Sequence, residues 1–387
     1  MVEWQIGYDL VRELILACGI LVALIFVGYI LVGGLLSLRY SSKRTENKAE
    51  NVKLVITTIA SESVRNALMN TIEHTTENFG EYDIHCVLDE GSDLEDELVA
   101  MDSITTVVVP DAYTCSARAK GRAINYFIET HVEDGFWYGF LDDDNLILDD
   151  EFLYEIPHYE QLDYAAMNPV LTPREGGSLT TFVADHMRLM EDLTSFRVFT
   201  GLLGKPYIGF HGELLCARGS VLKEIGFDHD TMVEDFVFAM KLIDNGWKTW
   251  QSKTRVSILS PHTITAFYKQ RRRWFLGIVE YLPESPRITK YLIGSRSLLW
   301  TLGITGNWIM FPLWLWAGGL QIALGLQLAV NLAGLLYAGT CLLSARDLSR
   351  WRAVGVLFLI PICSFMEHTA PLYGIFRPNN DFVVIEK

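Results

Sequence analysis

Cysteine is scarce in this chain and follows no pattern. Six residues, Cys18, Cys86, Cys115, Cys216, Cys341 and Cys363, are scattered over 387 positions without a C-x-x-C pair. That excludes a disulfide-stapled scaffold and a cysteine-built zinc site. Positive charge is also in short supply. Lys and Arg number 32 against 47 Asp and Glu, a formal net charge of −15. Broad nucleic-acid binding needs a basic footprint, so no nucleic-acid partner is expected. The chain has no internal repeat and no low-complexity segment, which sets aside solenoids and disordered tails.

What the chain has is apolar residues, unevenly placed. Half of it is hydrophobic and the mean hydropathy is +0.21, too apolar for a disordered chain. Its length suits two or three domain-sized units. Residues 40–295 hold 24 basic and 40 acidic residues, and the remainder holds 8 and 7. An acidic soluble body is therefore joined to nearly uncharged ends.

Those ends read as membrane segments. Leu14 to Leu38 runs without a charge, and about 20 apolar residues span a hydrocarbon core. No small-residue cleavage site with an evident mature start follows, so residues 1–39 read as an anchor rather than a signal peptide. Arg39, Lys43, Arg44 and Lys48 follow the run, whereas Glu3, Asp9 and Glu13 outnumber Arg12 before it. The positive-inside rule then puts the N-terminus outside and residues 40–295 in the cytoplasm. A second uncharged run, Ser297 to Ala345, is long enough for two helices split near Gly318–Gln321. Trp300, Trp308, Trp314 and Trp316 suit interfacial belts. Arg346, Arg350 and Arg352 return the chain to the cytoplasm. Ala353 to Phe376, with Pro361, Glu367, His368 and Pro371, reads as a further imperfect span or as a re-entrant or interfacial piece. Residues 296–376 thus form a C-terminal membrane region of about three spans, with a tail at 377–387.

The body reads as α/β. Strands are predicted at 52–58, 82–88, 104–109 and 136–141, with helices at 63–78 and 115–130. Alternating strands and helices argue for a mostly parallel sheet covered by helices. Ligands then bind beyond the carboxyl ends of the strands, where Thr57, Thr58, Asp89 and Asp142–Asp144 fall.

Three motifs stand out. Asp142-Asp143-Asp144-Asn145 follows an apolar strand directly. Adjacent carboxylates repel one another unless solvated or neutralised. Mg²⁺ typically takes one or two carboxylates plus substrate phosphates, yet an acidic turn in an acidic protein has the same composition. Glu234-Asp235 opens a helical pattern that stops at Asn245-Gly246. Acids there suit the helix dipole, and a carboxylate is equally suited to act as a general base. In Gln270-Arg271-Arg272-Arg273-Trp274, residues Gln270, Arg273 and Trp274 share one helical face. Arg offers a planar fork to phosphate oxygens, and Trp a flat face to a sugar ring. A basic juxtamembrane helix on anionic lipid is the other reading. The two combine if Arg273 points inward and Arg271 or Arg272 points to lipid.

The three motifs, in this order and ahead of a membrane segment, make residues 50–300 resemble the family-2 inverting glycosyltransferases of the cellulose synthase, hyaluronan synthase and Egghead-type β-1,4-mannosyltransferase group. The D-x-D is Asp142 and Asp144, the E-D pair is Glu234-Asp235 after Val233, and Q-x-x-R-W is Gln270, Arg273 and Trp274. Lys120-Gly121-Arg122-Ala123-Ile124-Asn125 resembles the family's K-x-x-x-L-N segment. Phe210-His211-Gly212-Glu213 falls where cellulose synthase has F-C-G-S. The stretch around Arg271–Trp274 is most similar to the Egghead type.

The resemblance implies a GT-A fold, a nucleotide-diphosphate-sugar donor (GDP-mannose or a UDP-hexose) and Mg²⁺ or Mn²⁺ at Asp142 and Asp144. It implies Asp235 as catalytic base beside Glu234. It places Thr58, Asp89, Lys120, Asp142, Gln270 and Arg273 on the donor. Trp274, His211 and Gly212 go to a glycolipid or oligosaccharide acceptor. A processive polysaccharide synthase and a non-catalytic nucleotide-sugar-binding membrane protein are the alternatives.

Overall fold

The computed structural model describes residues 2–344 and 349–377. Eight strands form one mixed sheet: β1 (Val52–Thr57), β2 (Asp83–Asp89), β3 (Thr105–Val109), β4 (Trp137–Asp142), β5 (Leu146–Ile147), β6 (Tyr164–Arg174), β7 (Leu215–Arg218) and β8 (Lys248–Leu259). Their order is β3-β2-β1-β4-β7-β6-β8-β5. The first four pair in parallel, as the alternating pattern requires. β7 then runs antiparallel between β4 and β6, and β8 lies parallel to β6.

The first strands read as unbroken apolar runs because both sheet faces are covered. Leu54 and Ile56 pack in a core with Leu68 and Ile72 of helix Arg65–Phe79. Val55, on the other face, packs with Ile124 and Phe127 of helix Lys120–His131. β6 carries no such signature. Pro169 and Pro173 interrupt it, and its pairing with β8 shifts register between Asn168 and Val170, on either side of Pro169. A bulge there leaves the proline without a ladder hydrogen bond to make.

The helix expected from residue 115 begins at Lys120. Asp228 Oδ1 accepts from the N–H groups of Ser116 and Ala117, 2.5 and 3.2 Å away, and so ties up the preceding loop. Ala119, at φ +46°, turns the chain into the helix.

Two helices cover the site end of the sheet. Leu179–Glu191 continues as wider π-type turns to Leu202. Ile264–Tyr281 is capped by the Thr263 hydroxyl, which accepts from the Ala266 N–H at 3.1 Å. It gives way to a short turn, Leu282–Glu284, that contains Pro283.

The apolar ends are helical. Val2–Ile30 packs against the helix Arg287–Ser344, which is broken at Gly319, φ +77°. Arg350–Phe376 follows. Among the described residues, Met310–Leu332 and Arg350–Phe376 are long and apolar enough to cross a membrane. Trp314 lies inside the bundle with Ala23 and Leu326, not on a lipid-facing surface, and Trp300 donates to the Glu367 carbonyl at 2.8 Å. Trp316 is half-exposed against Tyr8. The Trp308 side chain, Arg346 and residues 378–387 lie outside the described residues.

Candidate active site

The carboxyl ends of β1, β2 and β4 open into a cavity of about 420 Å³. It begins at Thr58, Asp89, Asp142 and Asp144, passes Lys120 and Asp235, and continues past Trp274 to Trp300 and Glu367 at the apolar helices. One space thus joins every motif singled out in the sequence.

The acidic turn after β4 is fixed from several sides. The Asp142 N–H donates to Asn145 Oδ1 at 2.9 Å, and Asn145 Nδ2 donates to Asp144 Oδ1 at 3.1 Å. Thr58 Oγ1 donates to Asp143 Oδ2 at 3.1 Å. Arg174 Nη2 donates to the Asp144 carbonyl at 2.9 Å. Lys120 Nζ lies 2.5 Å from Asp142 Oδ1 and 3.1 Å from the Gly212 carbonyl. Burial alone would lower the lysine pKa, but the carboxylates of Asp142 and Glu234 more than offset that and keep it charged.

The divalent ion expected in such a site can be tested on this turn. Asp142 and Asp144 present hard oxygen atoms to the cavity, and the described residues hold no group of three His, Cys, Asp or Glu poised for a metal. Two carboxylates fit an ion that completes its shell with diphosphate oxygens, and not one caged by protein alone.

Asp235 lies in the first turn of helix Glu234–Asp244, with the Phe236 N–H 2.7 Å from its Oδ1. Burial, then the nearby Glu234 charge, pushes its carboxyl up to about 7, with Lys120 opposing and Glu213 adding to the rise. Gly212 permits the close approach of these groups. A Cβ there would stand 3.0 Å from Lys120 Nζ and 3.5 Å from Asp235 Oδ2.

His211 sits beside Gly212. Its Nε2 is 2.7 Å from Asp192 Oδ1, and its backbone N–H donates to Asn168 Oδ1 at 2.8 Å. Asp89 is gripped by Arg122. Gln270 Oε1 accepts from Arg271 Nη1 at 2.8 Å, and Arg273 lines the cavity.

The basic run behaves differently from its sequence reading. Neither Arg271 nor Arg272 faces lipid; both are buried, because Arg350–Phe376 covers them. Arg271 pairs with Asp185 at 2.6 Å and with Glu367 at 2.9 Å. Its guanidinium lies 4.5 Å from the centre of the Trp274 ring, and that of Arg188 lies 4.8 Å from it. Arg188 in turn pairs with Glu213 at 2.5 Å and holds that carboxylate well below its ordinary range despite burial. Asp185, Arg188 and Asp192 were not singled out from the sequence. Their i, i+3, i+7 spacing, which puts three charges on one face of Leu179–Glu191 and its continuation, is the signal that marks them.

A sheet with its parallel half ending in a D-x-D turn, and a buried carboxyl across the cavity from it, defines a GT-A glycosyltransferase. Residues 139–345 match Glycosyl transferase family group 2, and the chain belongs to that family. It is 24% identical over 310 residues to the β-1,4-mannosyltransferase bre-3 of Caenorhabditis elegans, covering 73% of this chain and 67% of that one. It is 25% identical over 311 residues to the β-1,4-mannosyltransferase egh of Drosophila melanogaster, covering 73% and 66%. The fold is similar to that of the mannosyltransferase PcManGT from Pyrobaculum calidifontis, solved with GDP-Man and Mn²⁺. The TM-score is 0.53 at 14% identity, over 92% of this chain and 98% of that one.

Proposed function

We propose that this glycosyltransferase moves a hexose from a nucleotide-diphosphate sugar, GDP-mannose before a UDP-hexose, onto a glycolipid acceptor with inversion to a β-glycosidic bond. The observation that carries the reading is the single cavity that runs from the D-x-D turn past Asp235 to the apolar helices. The mannosyltransferase relatives favour mannose as the sugar.

Thr58 and Asp89 line the donor end, with Arg122 fixing the Asp89 carboxylate. Lys120 and Arg273 bring positive charge to the diphosphate, where negative charge builds as the sugar leaves. Asp142 and Asp144 would hold Mg²⁺ or Mn²⁺, which supplies further charge neutralisation to that leaving group. Asp235 takes the proton from the acceptor hydroxyl as the oxygen attacks the face of the anomeric carbon opposite the diphosphate. A carboxyl raised to about 7 is a better base than an ordinary one and is still ionised in good part near neutrality. Trp274, His211 and Gly212 line the acceptor side, and the guanidinium groups over Trp274 fix its ring. The catalytic domain lies in the cytoplasm, and a lipid-borne acceptor reaches the site in the plane of the bilayer.

The test is a panel of labelled nucleotide sugars, supplied with Mn²⁺ and mixed glycolipids to the protein in lipid vesicles, with mass analysis of the lipid-extractable product. One donor should give a product one or a few hexoses heavier. Transfer from no donor would refute the proposal. A polymer of tens of sugars made without added lipid would point to a processive synthase instead.

A further inference from the structure

The three charges on one face of helix Leu179–Glu191 and its continuation each end on a different part of the cavity wall. Asp185 pairs with Arg271 at 2.6 Å. Arg188 pairs with Glu213 at 2.5 Å. Asp192 Oδ1 lies 2.7 Å from His211 Nε2, and its Oδ2 accepts from the Leu171 N–H at 2.8 Å. All three are buried, and buried charges persist where they are paired.

The outer two have a holding role. Asp185 shares Arg271 with Glu367, so that arginine is balanced by two carboxylates. Asp192 ties His211 to β6 through Leu171. Arg188 is placed differently, because its one guanidinium meets groups from two separate elements. Glu213 comes from the chain before β7, and the Trp274 ring, 4.8 Å away at its centre, comes from helix Ile264–Tyr281. A planar guanidinium can hydrogen-bond a carboxylate and stack on an aromatic ring at once, which a lysine ammonium cannot.

Both groups bear on the base. Glu213 follows Gly212, where a Cβ would lie 3.5 Å from Asp235 Oδ2. The Gly212 carbonyl accepts from Lys120 Nζ at 3.1 Å. Leu214, directly after Glu213, is buried at φ +52°. A leucine keeps that left-handed backbone where its surroundings hold it, and the Arg188–Glu213 pair is one such hold. Trp274 lines the same cavity as Asp235.

We propose that Arg188 is a positioning residue for transfer: by bridging Glu213 and the Trp274 ring, it sets the acceptor platform in a fixed place relative to Asp235, so that the acceptor hydroxyl attacks in preference to water. In either attack the bond from the anomeric carbon to the diphosphate breaks, a bond to the incoming oxygen forms, and the proton of that oxygen goes to Asp235. Water needs no platform. An enzyme without the bridge still binds and consumes the donor, but delivers more of the hexose to water. The inference rests on the proposed transfer to a glycolipid, though not on which nucleotide or hexose is used.

The partition of labelled hexose between lipid and water tests it, in the full chain in lipid vesicles with Mn²⁺ and sub-saturating mixed glycolipids. This ratio is set per turnover and does not change with the fraction of enzyme that is folded. Arg188→Lys keeps a charge opposite Glu213 and gives up the planar group on the ring. Arg188→Met combined with Glu213→Gln removes the pair without leaving a lone buried charge. Both should shift the partition toward water, the combined variant by up to ~10²-fold and Arg188→Lys by less, while donor affinity read by calorimetry holds. In a Trp274→Ala background, Arg188→Lys should add nothing further, because the ring it steadies is gone. A wild-type partition in both variants overturns the inference. So does an Arg188→Lys effect that is undiminished without the ring. A wild-type chain that delivers no hexose to any glycolipid removes the proposed function, and this inference with it.

Discussion

At the scale of single residues, the proposed chemistry centres on Asp235. Its neighbours Glu234 and Glu213 are acidic, it is buried, and Lys120 is the opposing charge. Replacing it with Asn keeps the shape and removes the proton acceptor, so turnover should fall ~10²-fold or more with donor affinity largely kept. Titration calorimetry with the donor and a single-turnover assay separate the two effects. A variant that turns over normally would take Asp235 out of the mechanism. The raised pKa also sets a pH profile. The base works when ionised, so kcat/KM should rise with pH through about 7 and then level. Glu234→Gln removes a negative charge that disfavours the Asp235 anion, so the acid limb should move to lower pH. A limb that stays in place, or moves up, would contradict this assignment of cause. The sequence pairs Asp235 with Glu234 but does not show its pKa, because the largest cause of the rise is burial, and Glu213, which adds to the effect of Glu234, is brought in by the chain beside β7. On the donor side, Asp144→Asn should abolish transfer and weaken donor binding in Mg²⁺ or Mn²⁺. Full activity in excess chelator would remove the metal from the account.

The helix Ile264–Tyr281 shows, at the scale of elements, how a motif depends on what packs against it. Gln270, Arg273 and Trp274 were legible because their residue types and spacing suffice. Arg271 and Arg272 were misread as lipid-facing because the partners that bury them, Asp185, Glu367 and Tyr373, come from two distant helices. Gly277 on the same helix meets the segment that carries the base. A Cβ there would stand 2.8 Å from Val233 Cγ1, directly before Glu234-Asp235. Val233 is buried, so it has little room to yield. Gly277→Ala should therefore lower turnover by displacing Asp235, and overpacking of this kind costs about 1–3 kcal/mol. Thermal unfolding and a transfer assay check it, with donor affinity as the control that should hold. Unchanged turnover would mean that Val233 relaxes without moving the base. The parallel strands β1–β4 were visible as apolar runs, whereas β6 with its two prolines was not. Its pairing depends on a register shift that only the partner strand β8 reveals.

At the scale of the whole molecule, charge and hydropathy separate the soluble body from its ends, and the structure adds the space between them. The cavity passes from the strand ends to Trp300, Tyr337 and Glu367, so the strand-end motifs and the apolar helices share one space. Composition shows which segments are apolar but not what they pack against, such as Arg352 of the last helix with Glu175, a contact that no hydropathy profile contains. The flanking charges of the first helix predict that Ser41→Cys is shielded from an impermeant thiol reagent in intact cells and reactive after permeabilisation. Labelling in intact cells would reverse the orientation.

In the proposed reaction, a single base at Asp235 and a diphosphate leaving from the opposite face of the anomeric carbon together give inversion. The most direct test is the anomeric configuration of the product, read by NMR from the one-bond C1–H1 coupling of the newly attached sugar. With an α-linked nucleotide-sugar donor, the account predicts a β linkage made by the wild-type chain, with the rate of its formation collapsing in Asp235→Asn. An α-linked product would contradict it, because attack opposite the leaving diphosphate, with Asp235 taking the proton, inverts the anomeric centre.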